Sequence, residues 1–321
     1  YFDRDQLYGY KDDFERFAFF NLAVFTFYEK LDQFNLMHIH DWHGGYIPRL
    51  LKENNVAMKT IVTLHNVNYQ GDFTPREIPE GFDFLTREPV NFLESAVKEA
   101  SVITTVSPTY KDELKYPYYG ANLTPVLLQR ERDFYGVLNG LSSRYDPQED
   151  SLIHTPYGAG EWEKKARNKI YLQEISGFNQ DPDAFLIGMV SRITETKGFP
   201  LVVSILESFL REHEDVQFVL LGTGDEAIIT RLEAIQNAFP ERVKLNLGFH
   251  ASVPNHIYAG ADLFLMPSRI EPCGLSQLIA MKYGTIPLVR QTGGLNDTVE
   301  TYDPITKRGT GFSFYNYDAG A

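Results

Sequence analysis

The chain has 321 residues, enough for two domains of ordinary size, because single hydrophobic cores stop growing beyond about 250–300 residues. Its formal net charge of -13 argues against a nucleic acid or an anionic membrane surface as a partner. Cys273 is the only cysteine and cannot form an intrachain disulfide, which favours a reducing compartment. We therefore expect a cytoplasmic protein, or a plastid protein if the source is a plant.

Short apolar runs rich in β-branched residues alternate with helix-like stretches along the chain, the pattern of parallel βαβ units. A buried helix is predicted to start at Leu275 and to end at Gly284. The predicted strands are 37–40, 60–64, 102–106, 134–138, 186–190, 216–221, 243–247, 263–266 and 285–289. The fold class is therefore α/β, with two doubly wound, Rossmann-like domains.

The stretch 139–160 separates the two halves. It contains Pro147, Pro156 and several glycines, and the next apolar periodicity begins only near Trp162. We place the boundary inside this stretch and predict a first domain at 1–145 and a second at 146–321.

Polar residues and glycines follow most of the predicted strands. In open α/β sheets, ligands bind outside the carboxyl ends of the strands, where loops and helix N-termini present side chains and free N–H groups. These segments are His40-Asp41-Trp42-His43, His65-Asn66, Ser107-Pro108, Asn139-Gly140, Ser191-Arg192, Gly222-Thr223-Gly224, Ser268 and Thr292-Gly293-Gly294. They predict a catalytic site for a polar, phosphate-bearing ligand.

The strongest of these clusters runs from Pro267 to Gln277. A strand gives way to the carboxylate of Glu271 and then to a helix start at Gly274-Leu275-Ser276, whose free N–H groups attract an anion. Glu271 would then face a sugar hydroxyl or a developing positive charge at an anomeric carbon. The alternative is that Glu271 simply caps the helix.

Two cations, Arg192 and Lys197, lie in one predicted strand-to-helix loop. In an acidic protein such a pair can neutralise a diphosphate leaving group, and arginine offers a bidentate fork. The alternative is an ordinary solvated loop. Gly222-Thr223-Gly224 is only half of a dinucleotide fingerprint and favours a tight turn beside a nucleotide.

Three histidines, His38, His40 and His43, have a spacing that superficially suggests zinc. No thiolate and no fourth ligand stand nearby, so we predict no metal and favour substrate contact or core packing. His65 ends a buried strand and precedes Asn66, which favours a hydrogen bond to a sugar. Cys273 is interpreted as a small buried residue rather than as a nucleophile.

The order of these motifs resembles the bacterial glycogen synthases and plant starch synthases from Tyr1 to about Phe314. The residues that carry it are His40-Asp41-Trp42-His43, Lys59-Thr60, Thr63-Leu64-His65-Asn66, Tyr69-Gln70-Gly71, Thr104-Thr105-Val106-Ser107-Pro108-Thr109-Tyr110, Asn139-Gly140, Ser191-Arg192, Lys197-Gly198, Glu271-Pro272-Cys273-Gly274-Leu275 and Thr292-Gly293-Gly294-Leu295. The resemblance implies a GT-B glycosyltransferase whose two Rossmann-like domains face each other across a cleft. The first domain would be the acceptor or glucan side, and the second would bind the nucleotide sugar.

The resemblance also implies the reaction. Glucose would pass from ADP-glucose to the non-reducing end of an α-1,4-glucan, glycogen or starch, with retention of configuration. ADP would be released, and neither a metal nor a cofactor would be required.

Residue roles follow from the same resemblance. Arg192 and Lys197 would bind the diphosphate, Glu271 would contact the donor glucose, and His65 would act near the reacting carbon. Phe249 would stack on the adenine. The other implied substrate-binding residues are Asp41, Trp42, Asn66, Gly274, Leu275, Ser276, Gly293 and Gly294.

The chain also departs from the family pattern. Nothing in it matches the N-terminal Lys-Thr-Gly-Gly loop or the closing C-terminal helices, so we expect a fragment with an incomplete first domain. The alternatives are a non-catalytic glucan-binding remnant of the same fold, or another glycosyltransferase or phosphorylase of this fold. A phosphorylase would need a lysine that carries pyridoxal phosphate, and we find no candidate motif for one.

Overall fold

The computed structural model describes residues 2–7, 9–31, 34–73, 90–248 and 250–320. The chain divides into two compact units, Tyr1–Leu138 and Asn139–Ala321. The assignment of 1–145 to the acceptor and of 146–321 to the nucleotide sugar stays a prediction. Within the described ranges, no helix combines the length and the apolar character needed to cross a membrane.

The described part of the first unit is built on a four-stranded sheet with the order β1-β2-β5-β6, in which every pairing is parallel. Its strands and a small antiparallel pair are β1 (Leu36–His40), β2 (Lys59–Leu64), β3 (Asp72–Phe73), β4 (Val90–Asn91), β5 (Val102–Thr105) and β6 (Phe134–Gly136). Its helices are α1 (Asp13–Leu31), α2 (Ile47–Glu53), α3 (Phe92–Glu99), α4 (Pro108–Glu113), α5 (Pro117–Gly120) and α6 (Thr124–Gln129). The side chains of Val62, Leu64 and Ile103 are fully buried, as expected for the inner strands of a parallel sheet.

The second unit contains a parallel sheet with the order β12-β11-β10-β7-β8-β9. Its strands are β7 (Phe185–Val190), β8 (Val216–Gly222), β9 (Val243–Leu247), β10 (Leu263–Met266), β11 (Ile286–Arg290) and β12 (Phe312–Phe314). Its helices are α7 (Trp162–Ser176), α8 (Phe199–Glu212), α9 (Glu226–Ala238), α10 (Val253–Gly260), α11 (Ser276–Lys282) and α12 (Gly293–Thr298). The strand order reverses between β7 and β10. Ligands of open α/β sheets bind at such a reversal, outside the carboxyl ends of the strands.

All nine predicted strands are confirmed, with ends that differ by at most two residues. The helix predicted from Leu275 is also present as α11, and it ends before Gly284. The sequence missed β3, β4 and β12, because strands of two or three residues are too short to show an alternating pattern. The α/β fold class is confirmed for both units.

The second half of the predicted linker is firmly attached to the second unit. The buried Asp150 carboxylate accepts hydrogen bonds from Tyr283 Oη at 2.6 Å and Asn255 Nδ2 at 2.7 Å. Tyr157 Oη in turn donates to the Tyr283 backbone carbonyl at 2.7 Å. Burial and the bond to Asp150 raise the pKa of Tyr283 well above its usual range. The chain from Asp150 onward is therefore part of the second unit's core.

Lys165, on α7, is held where α10 ends. Its Nζ donates to the Ala259 carbonyl at 2.9 Å and to Thr285 Oγ1 at 2.8 Å. Burial lowers the pKa of this ammonium to about 8, an effect that Asp262 opposes. The amine thus releases its proton more readily in the folded state than in the unfolded chain.

We expect stability to rise with pH through this group. The unfolded chain holds the Lys165 proton up to a pKa near 10.5 and the folded chain only to about 8, so the unfolded state binds more protons between these values. Urea unfolding measures the free energy of unfolding of wild type and of Lys165→Met. In that window, the value for wild type should rise relative to that of the variant by up to about 1.4 kcal/mol per pH unit. Lys164→Met, which removes an exposed partner of Glu161, is the control and should show no such slope. A pH-independent difference for Lys165→Met would contradict the prediction.

Candidate active site

An ion pair lies at the point where the strand order of the second unit reverses. Lys197 follows β7 and Glu271 follows β10, and the lysine Nζ lies 2.8 Å from Oε1 and 2.6 Å from Oε2 of the glutamate. Glu271 is only 5% exposed. Ser268 Oγ donates a further hydrogen bond to Oε2 at 3.0 Å. The structure therefore brings together two residues that the sequence predicted to be catalytic.

Backbone contacts hold the two loops that carry this pair. The N–H of Arg269 donates to the Thr196 carbonyl at 2.9 Å, which ties the loop after β10 to the loop after β7. Gly198 has a φ of 82°, and a Cβ at this position would overlap the Pro267 carbonyl oxygen. Only glycine permits this approach, so the position of Lys197 depends on it.

Gly293 and Gly294 pack against the same loop. The N–H of Gly294 donates to the Glu271 carbonyl at 3.1 Å. Gly293 has a φ of 44°, and a Cβ on it would overlap the carbonyl oxygen of Glu271. In the structure these glycines therefore allow the backbone to approach the Glu271 loop, while their predicted contact with a sugar stays a prediction.

Arg192 projects from a loop that continues the pairing of β7 with β8. The N–H of Ile193 donates to the Thr223 carbonyl at 2.8 Å, and a Cβ on Gly224 would overlap the Ile193 carbonyl oxygen. The glycines after β8 thus form a close turn against the Arg192 loop. The Arg192 side chain is exposed, and no carboxylate in the described ranges pairs with its guanidinium.

Glu271 does not cap the following helix, since α11 begins at Ser276 and its N-cap position is Leu275. The alternative role for Glu271 is therefore wrong. Gly274 has a φ of 70° at the turn into this helix. Ser276 Oγ accepts a hydrogen bond from Tyr258 Oη at 3.1 Å. The predicted phosphate contacts of Gly274, Leu275 and Ser276 stay predictions.

In the first unit, Asp41 occupies an unusual backbone conformation where β1 ends. Its φ is 53° and its ψ is -163°, a region that residues with a Cβ rarely adopt. Its Oδ1 accepts the backbone N–H groups of His65 at 2.7 Å and of Asn66 at 3.3 Å. Strain of this kind is found at functional sites, where surrounding contacts maintain it. Asp41, His65 and Asn66 are thus brought together by the ends of β1 and β2.

The histidines of this unit bond to different partners. His40 Nδ1 lies 2.9 Å from His65 Nε2, and His38 Nε2 lies 2.7 Å from Thr63 Oγ1. Burial lowers the pKa of His40, and the nearby His38 and His65 act in the same direction. In the described part of the chain, no group of three or more His, Cys, Asp or Glu side chains is arranged to hold a metal ion.

Two other predicted residues need separate mention. Trp42 is only 6% exposed, and its ring contacts Phe17 with the centroids 4.5 Å apart, so it packs in the core. Its contact with a sugar stays a prediction. Phe249, predicted to stack on adenine, lies outside the described residues.

Sequence reasoning missed the partners of the predicted residues. Ser268 was noted only as a strand end, and His40 was not connected with His65. The register of β1 against β2 could have revealed the second contact, because His40 pairs with Thr63, two residues before His65. Cys273 is buried as interpreted, and burial raises the pKa of its thiol, although hydrogen bonds from Asn139 oppose this.

Comparison with known proteins adds to this geometry. Residues 1–129 match the family described as starch synthase catalytic domain, and residues 173–321 match glycosyl transferases group 1. The catalytic domain of starch synthase IV from Arabidopsis thaliana, solved bound to ADP and acarbose, matches 99% of this chain and 69% of that chain, with a TM-score of 0.89 and 31% identity. The fold and the site therefore define a GT-B glycosyltransferase.

Curated relatives narrow this class. The glycogen synthase of Anoxybacillus flavithermus is 43% identical over 340 aligned positions, and that of Geobacillus thermodenitrificans is 44% identical. Each alignment covers 99% of this chain and 69% of the relative. The chain belongs to the glycogen and starch synthase family, and it is a hexosyltransferase.

Proposed function

We propose that the protein transfers glucose from ADP-glucose to the non-reducing end of an α-1,4-glucan, with retention of configuration and release of ADP. The observation that carries the proposal is the Lys197–Glu271 pair at the reversal of strand order in the second unit. The relative solved with ADP and acarbose supports a nucleotide and a glucan as ligands. The curated glycogen synthases support the same acceptor.

The charges suit the departure of a diphosphate. As the glycosidic bond to the donor breaks, negative charge develops on the ADP oxygens and positive charge on the anomeric carbon. Fixed cations stabilise the first, and we assign this role to Arg192 and Lys197. The Glu271 carboxylate is suited to the second. His65, held through its backbone N–H by Asp41, is assigned to the donor glucose near the reacting carbon.

The test is release of ADP from ADP-glucose with and without glycogen. We expect release that depends on glycogen, together with growth of the glucan. Parallel assays with UDP-glucose determine which nucleotide base is preferred. Glycogen binding without turnover of either donor would support the alternative of a non-catalytic, glucan-binding remnant. ADP release at the same rate with and without glycogen would contradict the proposed acceptor.

Replacement of Arg192 by alanine is expected to lower kcat by about 10²- to 10³-fold, the usual cost of losing one group that stabilises a developing anion. The melting temperature should stay unchanged, because the side chain is exposed. Arg192→Lys should recover part of the rate, since lysine keeps the charge but loses the bidentate fork.

Arg231→Ala is the matched control, because Arg231 is exposed on α9 in the same unit. We expect this variant to turn over ADP-glucose at the wild-type rate. Equal kcat values for the two alanine variants would remove Arg192 from the mechanism.

A further inference from the structure

Two consecutive residues contact His65: His40, the last residue of β1, and Asp41, which follows it. The Asp41 carboxylate binds the His65 backbone N–H at 2.7 Å. His40 Nδ1 lies 2.9 Å from the His65 ring nitrogen Nε2, and the two ring centroids are 5.2 Å apart. The backbone and the ring of His65 are therefore located by different contacts.

The contact between the two rings constrains protons as well as position. In a hydrogen bond between two imidazoles, one nitrogen donates and the other accepts, so the tautomers of both rings are coupled. Because Nε2 of His65 is engaged by His40, Nδ1 is the nitrogen left to face a ligand. An unsupported ring could rotate or adopt the other tautomer.

We propose that His40 is a positioning residue, which fixes the orientation and the tautomer of the His65 ring for glucosyl transfer. The proposal rests on the role that the proposed function gives to His65. His40 itself is not assigned a contact with substrate. Its effect passes through the Nδ1–Nε2 contact, which no predicted site residue other than His65 shares.

The charges around His40 favour the neutral ring that this contact needs. The titratable groups that face it are His38 on β1, His65 after β2 and Asp41 at the following position. Burial is the largest cause that lowers the pKa of His40, both histidines add to it, and Asp41 opposes it. At low pH a doubly protonated His40 carries a proton on Nδ1 and can only donate there, so a His65 ring that donates through Nε2 loses the bond. Turnover should then fall on the acid side.

The experiment compares His40→Ala, His40→Asn and His38→Ala in the complete protein, with ADP release in the presence of glycogen as the assay. Asparagine places an amide near the position of Nδ1 and cannot gain a proton in this pH range. His38 is the matched control, because its ring lies 4.2 Å from that of His40 on the same strand but bonds to Thr63.

We expect His40→Ala to lower kcat by about tenfold to a hundredfold, the scale of losing a group that orients a functional side chain. The KM for ADP-glucose should change little. His40→Asn should restore most of kcat and move the acid limb of the pH profile to lower pH. His38→Ala should keep the wild-type kcat on the plateau of the profile, while the loss of its effect on the pKa of His40 moves the acid limb to higher pH. Wild-type turnover in His40→Ala, or no rescue by His40→Asn, would overturn the positioning role.

His65→Ala, alone and combined with His40→Ala, separates this inference from the proposed function. If His40 acts only through His65, the double variant should be no slower than His65→Ala alone. Losses that multiply would overturn the inference. Near-normal turnover of His65→Ala would instead overturn the role of His65 itself, and the positioning role with it.

Discussion

Replacement of Glu271 by glutamine is expected to lower kcat by about 10²- to 10³-fold or more, because the site loses the carboxylate that we assign to the developing positive charge. Glutamine keeps the size of the side chain, and its oxygen can still accept from Lys197 and Ser268, which both bond to Oε2 of Glu271. The fold should therefore persist. The measurements are glycogen-dependent ADP release and thermal unfolding on the same sample.

Glu271→Ala should lose the same activity and also stability. It leaves the Lys197 ammonium, which is 19% exposed, without the carboxylate that neutralises it. Breaking a buried pair by removing one partner costs about 3–5 kcal/mol, and the remaining exposure of Lys197 reduces this figure. Glu195→Gln is the control, because the carboxylate of Glu195 pairs with Arg269 at the surface. Near-normal turnover by folded Glu271→Gln would contradict the assignment of Glu271.

Replacement of Gly293 by alanine is expected to destabilise the protein by roughly 2–5 kcal/mol and to lower turnover at least a hundredfold. Forcing a Cβ into the Glu271 carbonyl oxygen costs about 1–3 kcal/mol, and a φ of 44° adds about 1–2 kcal/mol for a residue with a side chain. Relief of the overlap moves the backbone of Glu271, and a displacement of about 1 Å at a catalytic group can cost about 10²-fold. Urea unfolding and ADP release measure the two effects.

Gly177→Ala separates backbone conformation from crowding. Gly177 has a φ of 75° after α7, but a Cβ there would meet no atom within 4 Å. This variant should lose only the conformational part, about 1–2 kcal/mol, with unchanged turnover. If Gly293→Ala were as stable and as active as Gly177→Ala, the close approach to the Glu271 loop would have no role in the site.

The sheet was predictable because its strands are buried runs of β-branched and aliphatic residues, and such runs are visible in the sequence itself. The candidate site was predictable only as separate segments. Lys197 and Glu271 are 74 positions apart, and their contact depends on β7 and β10 becoming neighbours. No local pattern contains the strand order, so the sequence indicated two isolated charges with separate roles.

The local geometry of single residues was also not predictable from the sequence. The sequence indicated a helix start near Gly274, which left a capping role for Glu271 open as the alternative, but α11 begins five positions after Glu271. The strained backbone of Asp41 leaves no mark in the sequence, since aspartate is common in ordinary turns. Glycine is different, because its presence at Gly198 and Gly293 signals a close approach without saying to what.

The Lys197–Glu271 pair also affects the expected rate of product release. An ammonium bonded to both oxygens of one carboxylate is already neutralised, so an anion that recruits Lys197 must compete with Glu271 for it. In the proposed mechanism, that competition would weaken the binding of the departing nucleotide diphosphate as well as that of the arriving donor. After glucose has been transferred to the glucan, the Glu271 carboxylate can bond to the Lys197 ammonium again. If Lys197 binds the diphosphate as proposed, we expect this competition to shorten the residence time of ADP and to relax the limit that product release sets on turnover.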